Sequence, residues 1–133
     1  MIENFGKKIK KVDLIVLGAG PAGVAAAEVA SKEGALVIII DENSDAGGQI
    51  YRAPPKGFKP KNSFKSDEFV EGERQRNILK NINVTTLFEH RVWSISSNLV
   101  LNTVGPNGLN SIQTKTLIIA TGALERIIRF PGW

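Results

Sequence analysis

An α/β fold with a parallel sheet is predicted by three features of the 133-residue sequence. First, an apolar run, Leu14 to Leu17, leads through a glycine-rich turn into Val24 to Lys32, an alanine-rich stretch that favours helix. Second, Ala35 to Ile40 is apolar without interruption, as in a parallel strand covered on both faces. Third, Leu117 to Ala120 is a further run of the same kind. Strand, helix and strand at this spacing predict a βαβ unit.

The middle of the chain adds a loop, a helix and short strands. Asn43 to Asn62 is a long polar connection, of a kind that is usually functional or mobile. Ser66 is placed as the N-cap of a helix that runs to about Asn81, with acids in its first turn where the helix dipole favours them. From Val84 the apolar residues alternate, which predicts a small β-meander excursion before the last parallel strand. The predicted strands are Val84 to Phe88, Val92 to Ile95, Leu99 to Val104 and Ile112 to Thr114, with a turn at Gly105-Pro106-Asn107-Gly108.

Composition limits the classes of function. The sequence has no cysteine, so electron chemistry has to come from a cofactor and not from a dithiol couple.

Residues 1–12 form a basic tail, and no apolar run approaches the ~18 residues of a membrane-spanning helix, so we expect a soluble cytoplasmic protein. The net charge of +4 comes largely from lysines without interleaved aromatic residues, so nucleic acid is not an expected partner. His90 has no neighbours typical of a triad or a metal site, and no metal site or catalytic residue is assigned.

Three glycines, Gly18, Gly20 and Gly23, form the pattern G-x-G-x-x-G between the first strand and the helix. In a dinucleotide-binding turn the first permits the tight bend, the second lets a pyrophosphate approach the backbone, and the third lets helix and strand pack closely. Pro21 and Ala22 open the helix, whose free N–H groups and partial positive charge favour phosphate. Because the pattern follows a strand and precedes a helix, it predicts a dinucleotide site in preference to a plain turn.

An acid follows the second strand. Asp41 lies near the ~20-residue spacing at which an acid hydrogen-bonds the adenosine ribose, and Glu42 is a second candidate. The alternative for Asp41 is an ordinary strand-end turn, where Asp is favoured. A carboxylate here would repel a 2′-phosphate, which argues against NADP. FAD and NAD present the same ADP half, so these residues do not distinguish the two.

Three further segments carry a resemblance to a known family. They are Asp41 to Arg52, Ala120-Thr121-Gly122-Ala123 and Phe130-Pro131-Gly132-Trp133. With the glycine pattern, they resemble the FAD-binding part of the two-dinucleotide-binding-domain flavoproteins, which are pyridine nucleotide-disulfide oxidoreductase-like. Within that superfamily, the sequence from Asp13 onward is similar to the FAD-binding subunits of opine oxidase, hydrogen cyanide synthase and dye-linked proline or hydroxyproline dehydrogenases.

This resemblance implies a Rossmann-like FAD-binding domain over residues 13–133, with cofactor contacts in two more places. The residues implied to line the FAD are Gly47, Gly48, Gln49, Thr121 and Gly122. Since Gly122 follows a parallel strand, we expect it to emerge beside Gly20 at the carboxyl edge of the sheet, where α/β folds bind ligands. The alternatives are a flexible loop at Gly47-Gly48 and a plain strand end at Thr121-Gly122.

The resemblance also implies an activity, an FAD-dependent dehydrogenation of an amine, amino-acid-like or opine-like substrate within a heteromeric enzyme. Family members continue into a second nucleotide-binding domain, so we expect this chain to be truncated relative to them and inactive alone. Disulfide reductases of the superfamily carry a cysteine pair where this sequence has Gly47-Gly48-Gln49-Ile50, which excludes disulfide reduction. The alternatives are a non-catalytic nucleotide-binding module of a larger assembly and an NAD-binding Rossmann domain.

Overall fold

A computed structural model describes residues 10–55, 57–58, 66–80, 84–124 and 126–132. Within these residues the elements are, in chain order, β1 (Lys10–Leu17), α1 (Pro21–Lys32), β2 (Val37–Ile40), α2 (Asp67–Ile78), β3 (Val84–Leu87), β4 (Arg91–Ile95), β5 (Val100–Gly105) and β6 (Gly108–Ile119). Residues 1–9 of the predicted tail, the predicted helix end at Asn81 and the last residue, Trp133, lie outside the described residues.

The described strands form one six-stranded sheet in the order β3-β2-β1-β6-β5-β4. Strands β3, β2 and β1 and the second half of β6 run parallel, while β4, β5 and the first half of β6 form an antiparallel meander. The predicted α/β class, with a parallel sheet and a small meander, is therefore confirmed.

One predicted pair of strands is in fact a single strand. Ile112 to Thr114 and Leu117 to Ala120 were expected to be separate, because Lys115 and Thr116 interrupt the apolar pattern, but β6 runs through both. The polar residues fit because this part of the strand is open to solvent, where Nζ of Lys115 lies 2.7 Å from Oδ1 of Asp13.

The sheet begins before residue 13, where the domain is predicted to start. β1 begins at Lys10, so residues 10–12 of the predicted basic tail belong to the sheet. They pair with Ile112, Gln113 and Thr114 of β6, and Val12 is buried. The physical reason is the length of β6, which offers backbone partners to β1 beyond the predicted parallel core.

Two apolar clusters lie on opposite faces of the parallel strands. On one face, α1 packs its buried residues Val24 and Ala27 against alternate residues of β1 and β2. On the other face, Leu101 and Ile112 of the meander pack against the remaining buried residues of the same strands. Because both faces are covered, all four residues of β2 are buried, which explains their uninterrupted apolar character.

The two helices begin with the expected signals. α1 starts with Pro21 at its first position, and α2 is capped by Ser66, whose hydroxyl accepts a hydrogen bond from the N–H of Phe69 at 3.3 Å. Neither of these helices is long and apolar enough to cross a membrane, and the described residues contain no other candidate.

Candidate nucleotide-binding site

The carboxyl ends of β1, β2 and β6 lie side by side at one edge of the sheet. The N–H of Gly18 donates to the carbonyl of Ile40, and the N–H of Ala120 donates to the carbonyl of Leu17, both at 2.8 Å. A Cβ on Gly18 would overlap the Ala120 carbonyl, and its φ of +105° favours glycine. The glycine turn and the turn after β6 therefore meet at Gly18 and Ala120.

The other two glycines of the pattern have different surroundings. A Cβ on Gly23 would overlap the carbonyl oxygen of Gly18, so this glycine is required by the packing of α1 on β1. At Gly20, φ is −74°, and among the described residues other than its chain neighbours, the only heavy atom within 4 Å of an added Cβ is Cα of Gly48 at 3.8 Å. Neither backbone strain nor close packing explains a glycine at position 20, which leaves an open space beside the N-terminus of α1. Such a space fits a pyrophosphate, which needs to approach the backbone closely.

A second glycine loop packs on the first. The N–H of Gly47 donates to the carbonyl of Ala19 at 2.9 Å, and a Cβ on Gly48 would lie 3.0 Å from Cα of Gly20. Gln49 follows on the exposed side of the loop. The two loops, distant in sequence, thus form one continuous backbone surface at the carboxyl edge.

Asp41 connects the ends of three strands. Its Oδ2 accepts a hydrogen bond from the N–H of Ala19 at 2.6 Å, and its Oδ1 accepts two from Asn43 at 2.8 and 2.7 Å. Its own N–H donates to the carbonyl of Leu87, and its carbonyl accepts from the N–H of His90, both at 3.0 Å. A carboxylate has about four acceptor positions, so three hydrogen bonds leave one for a ligand hydroxyl. The acid predicted as a ribose ligand is therefore also part of the scaffold.

A cavity of about 300 Å³ opens beyond the carboxyl ends of β2 and β3. Its lining residues are Glu42, Glu89, His90, Arg91, Val104 and Gly105. Glu42 and Arg91 form an exposed ion pair of 3.1 Å across it, and exposed pairs of this kind contribute little to stability. Sequence reasoning missed this cavity and Arg91, because the turn between β3 and β4 reaches β2 only through non-local backbone hydrogen bonds.

A cavity of about 370 Å³ lies between α2 and β3, lined by residues that include Arg76, Lys80 and Phe88. It contains none of the predicted cofactor-binding residues, whereas the cavity beyond β2 and β3 contains Glu42, so the cavity beside α2 is not assigned to the nucleotide.

The turn after β6 is open to solvent. Thr121 and Gly122 are both exposed, and Gly122 has a φ of +71° with no other described residue, its chain neighbours aside, within 4 Å of an added Cβ. The structure thus brings this turn to the glycine edge through Ala120. Contact between Thr121 or Gly122 and a cofactor stays a prediction.

The sequence that forms these strands and glycine turns matches a family model over nearly all of its length. The family model described as "Pyridine nucleotide-disulphide oxidoreductase" matches residues 12–133. The chain belongs to this family. The predicted membership is confirmed, and with it the FAD-binding oxidoreductase class of the domain and its cofactor, FAD.

Individual relatives agree with the resemblance found in the sequence. The chain is 36% identical over 129 residues to an opine oxidase subunit of Agrobacterium tumefaciens (strain Ach5), covering 91% of this chain and 26% of that protein. It is 28% identical to hydrogen cyanide synthase subunit HcnB of Pseudomonas aeruginosa, covering 90% and 26% respectively. The solved structure of L-proline dehydrogenase from P. horikoshii superposes with a TM-score of 0.71 at 26% identity, covering 92% of this chain and 25% of that one. The chain therefore spans about a quarter of the length of these relatives.

Proposed function

We propose that the chain holds the ADP half of FAD across the carboxyl edge of its sheet. The pyrophosphate lies over Gly20 and the N-terminus of α1, where N–H groups and the helix dipole favour a double negative charge. The open space at Gly20 carries this proposal, because the protein's own packing gives no reason for a glycine there. Pro21 and Ala22 form the first helical turn beneath the phosphates.

The adenosine end lies toward the cavity beyond β2 and β3. Glu42 is the acid on its rim and is available to accept hydrogen bonds from ribose hydroxyls, with the remaining acceptor position of Asp41 behind it. Two carboxylates at this place disfavour a 2′-phosphate by repulsion. This assignment makes Glu42 the main ribose ligand and gives Asp41 the additional role of supporting the turn.

The flavin end lies toward the second glycine loop and the turn after β6. The contact between Gly48 and Gly20 and the hydrogen bond from Ala120 to Leu17 support this direction, since both bring these segments to the pyrophosphate site. Gly47, Gly48, Gln49, Thr121 and Gly122 are the residues proposed to line it. When bound, FAD supplies two-electron chemistry, and this chain's own residues bind and orient it.

For the whole protein, we propose dehydrogenation at a carbon–nitrogen bond of a small amine or amino-acid-like substrate, with partner subunits. Two relatives are named as subunits and one as an L-proline dehydrogenase, which supports both parts of this proposal. A cytoplasmic location is proposed from the composition, which includes no cysteine.

Titration with FAD, FMN and ADP tests the proposed site, because FMN carries the flavin without the ADP half. We expect the chain to bind FAD, to bind FMN far more weakly, and to release FAD when ADP is added in excess. Flavin fluorescence reports all three experiments. Equal affinity for FMN and FAD, or failure of ADP to compete, would contradict a site built for the ADP half.

A further inference from the structure

Arg76 of α2 reaches across to the second glycine loop. Its Nη1 donates to the carbonyl of Ala46 at 3.3 Å and to the carbonyl of Tyr51 at 3.2 Å. These two carbonyls lie at the two ends of the loop that contains Gly47 and Gly48. One nitrogen of the guanidinium, Nη1, therefore joins the two ends of the loop.

Gly72 makes the place that the guanidinium occupies. It is buried in α2, one turn before Arg76, and an added Cβ would lie 3.0 Å from Nη1 and 3.2 Å from Nη2 of Arg76, and 3.2 Å from Cβ of Tyr51. A glycine inside a helix costs about 1 kcal/mol relative to alanine. The close approach of the arginine gives a physical reason for a residue that weakens the helix.

The backbone of this loop takes a conformation that favours glycine. Gly47 and Gly48 have φ values of +127° and +61°, and the loop is turned back on itself by a 3.0 Å hydrogen bond from the N–H of Tyr51 to the carbonyl of Gly47. The same loop meets the first glycine turn through the hydrogen bond from Gly47 to Ala19. Hydrogen bonds thus connect Arg76, through this loop, to the surface on which the flavin side of FAD is proposed to lie.

We propose that Arg76 is a positioning residue that fixes the Gly47-Gly48 loop against Gly20 and thereby sets the affinity for the flavin part of FAD. The identity of the ligand, FAD, rests on the function proposed above, whereas the ordering of the loop by Arg76 does not. Hydrogen exchange therefore tests the ordering of the loop without a ligand, and FAD binding tests its effect on affinity.

Arg76→Met is the principal variant, because methionine keeps an unbranched apolar stem and removes the guanidinium. Arg74→Met is the matched control, since Arg74 lies on the same helix and its guanidinium bonds Glu71 at 2.8 and 2.7 Å. Arg76→Lys is the conservative variant, which keeps the positive charge on a shorter side chain without the planar guanidinium.

Amide hydrogen exchange measures the loop without any ligand. In Arg76→Met we expect the N–H groups of Gly47 and Tyr51 to exchange faster, while the N–H of Val24, bonded to Gly20 in α1, keeps its rate. Arg74→Met should match the unmodified chain at all three positions. Equal acceleration of all three amides in Arg76→Met would show a general loss of structure and overturn the proposal, and so would unchanged rates.

Binding measures the consequence for the cofactor. We expect Arg76→Met to raise the Kd for FAD about tenfold, equivalent to about 1.4 kcal/mol, and the Kd for ADP by a much smaller factor. The Kd of Arg76→Lys for FAD should lie between those of the unmodified chain and Arg76→Met. Equal losses for FAD and ADP, or an FAD affinity equal to that of Arg74→Met, would overturn the role of Arg76. Failure of the unmodified chain to bind FAD would contradict the proposed function instead, and the exchange rates would still decide whether Arg76 orders the loop.

Discussion

The backbone N–H of Ala19 donates a 2.6 Å hydrogen bond to Oδ2 of Asp41, so the acid that follows β2 holds the turn that follows β1. The bond joins residues 22 apart in sequence at the point where a dinucleotide pyrophosphate would approach. Asp41 also receives two hydrogen bonds from Asn43, which fix its carboxylate in this direction. The shape of the glycine turn and the charge of the proposed ribose site are thus linked through one side chain.

Asp41→Asn is expected to weaken both the fold and the site. The neutral amide loses charge-assisted hydrogen bonds from Ala19 and Asn43, at a cost of roughly 1–3 kcal/mol in the free energy of unfolding. FAD affinity should fall as well, because the turn loses its support. Urea unfolding and FAD titration measure the two effects. An unfolding free energy equal to that of the unmodified chain would mean that the bond to Ala19 contributes nothing.

Glu42→Gln is expected to separate binding from stability. Glu42 is exposed and its ion pair with Arg91 is of a kind worth little, so the unfolding free energy should stay within about 0.5 kcal/mol. The Kd for FAD should rise, because the carboxylate proposed to accept from the ribose is lost. Urea unfolding and FAD titration measure the two quantities, and an unchanged Kd would remove Glu42 from the proposed site.

Gly20→Val is expected to fold and to lose FAD binding. Within the described part of the chain, a Cβ at this position has only Cα of Gly48 within 4 Å, at 3.8 Å, so the added side chain enters open space, which is the proposed place of the pyrophosphate. Ala25→Val, at an exposed position of the same helix, controls for valine in α1. Flavin titration and thermal melting separate the two effects. Stoichiometric FAD on folded Gly20→Val would refute the placement of the pyrophosphate.

Gly23→Ala is expected to show the opposite behaviour. Its Cβ would overlap the carbonyl oxygen of Gly18, so helix and strand have to move apart, and overpacking of this kind typically costs about 1–3 kcal/mol or more. The loss should appear in urea unfolding without any ligand. Gly20→Ala is the comparison, since its methyl group has room. Equal unfolding free energies for the two alanine variants would contradict the distinction between these glycines.

Local patterns predicted much of this fold. Three predicted features depend only on residues that are near one another in the sequence, and the structure has all three. They are the glycine turn before α1, the buried strand β2 and the Ser66 cap of α2. The β6 strand was divided in the prediction because its polar middle breaks the apolar period, although its backbone partners continue in β1.

The parts of the site that were missed depend on contacts between distant segments. Arg76 reaches the glycine loop from another helix, and the cavity beside Glu42 exists because the turn after β3 binds back to Asp41. Neither contact is indicated by an apolar periodicity or by a motif with fixed spacing in the sequence. The position of Asp41 was predicted from spacing, but its bond to Ala19 was not.

Acid titration tests the ion pair on α2. The Arg74 guanidinium, hydrogen-bonded to the Glu71 carboxylate, lowers the pKa of Glu71 from 4.5 to about 2, with a smaller contribution from Gln75. Because the folded pKa is the lower one, the stabilisation is complete above about 4.5 and is lost as the pH falls toward about 2.

In Arg74→Met, we expect the pKa of Glu71 to return toward its ordinary value, and the difference in unfolding free energy from the unmodified chain to shrink as the pH falls. NMR titration of the Glu71 carboxyl and urea unfolding at several pH values measure both. An unchanged Glu71 pKa in Arg74→Met would show that the guanidinium is not the cause.

Binding of FAD through its ADP half is tested most directly by two measurements on the purified chain. They are its visible absorption spectrum and its thermal melting in the presence of FAD or of NAD. We predict flavin absorption that stays with the protein after removal of free FAD, and a melting temperature raised by FAD. Saturation at 100 times the Kd adds about 2.7 kcal/mol to the unfolding free energy. A colourless chain whose melting is raised by NAD and not by FAD would contradict the account and would make this an NAD-binding domain.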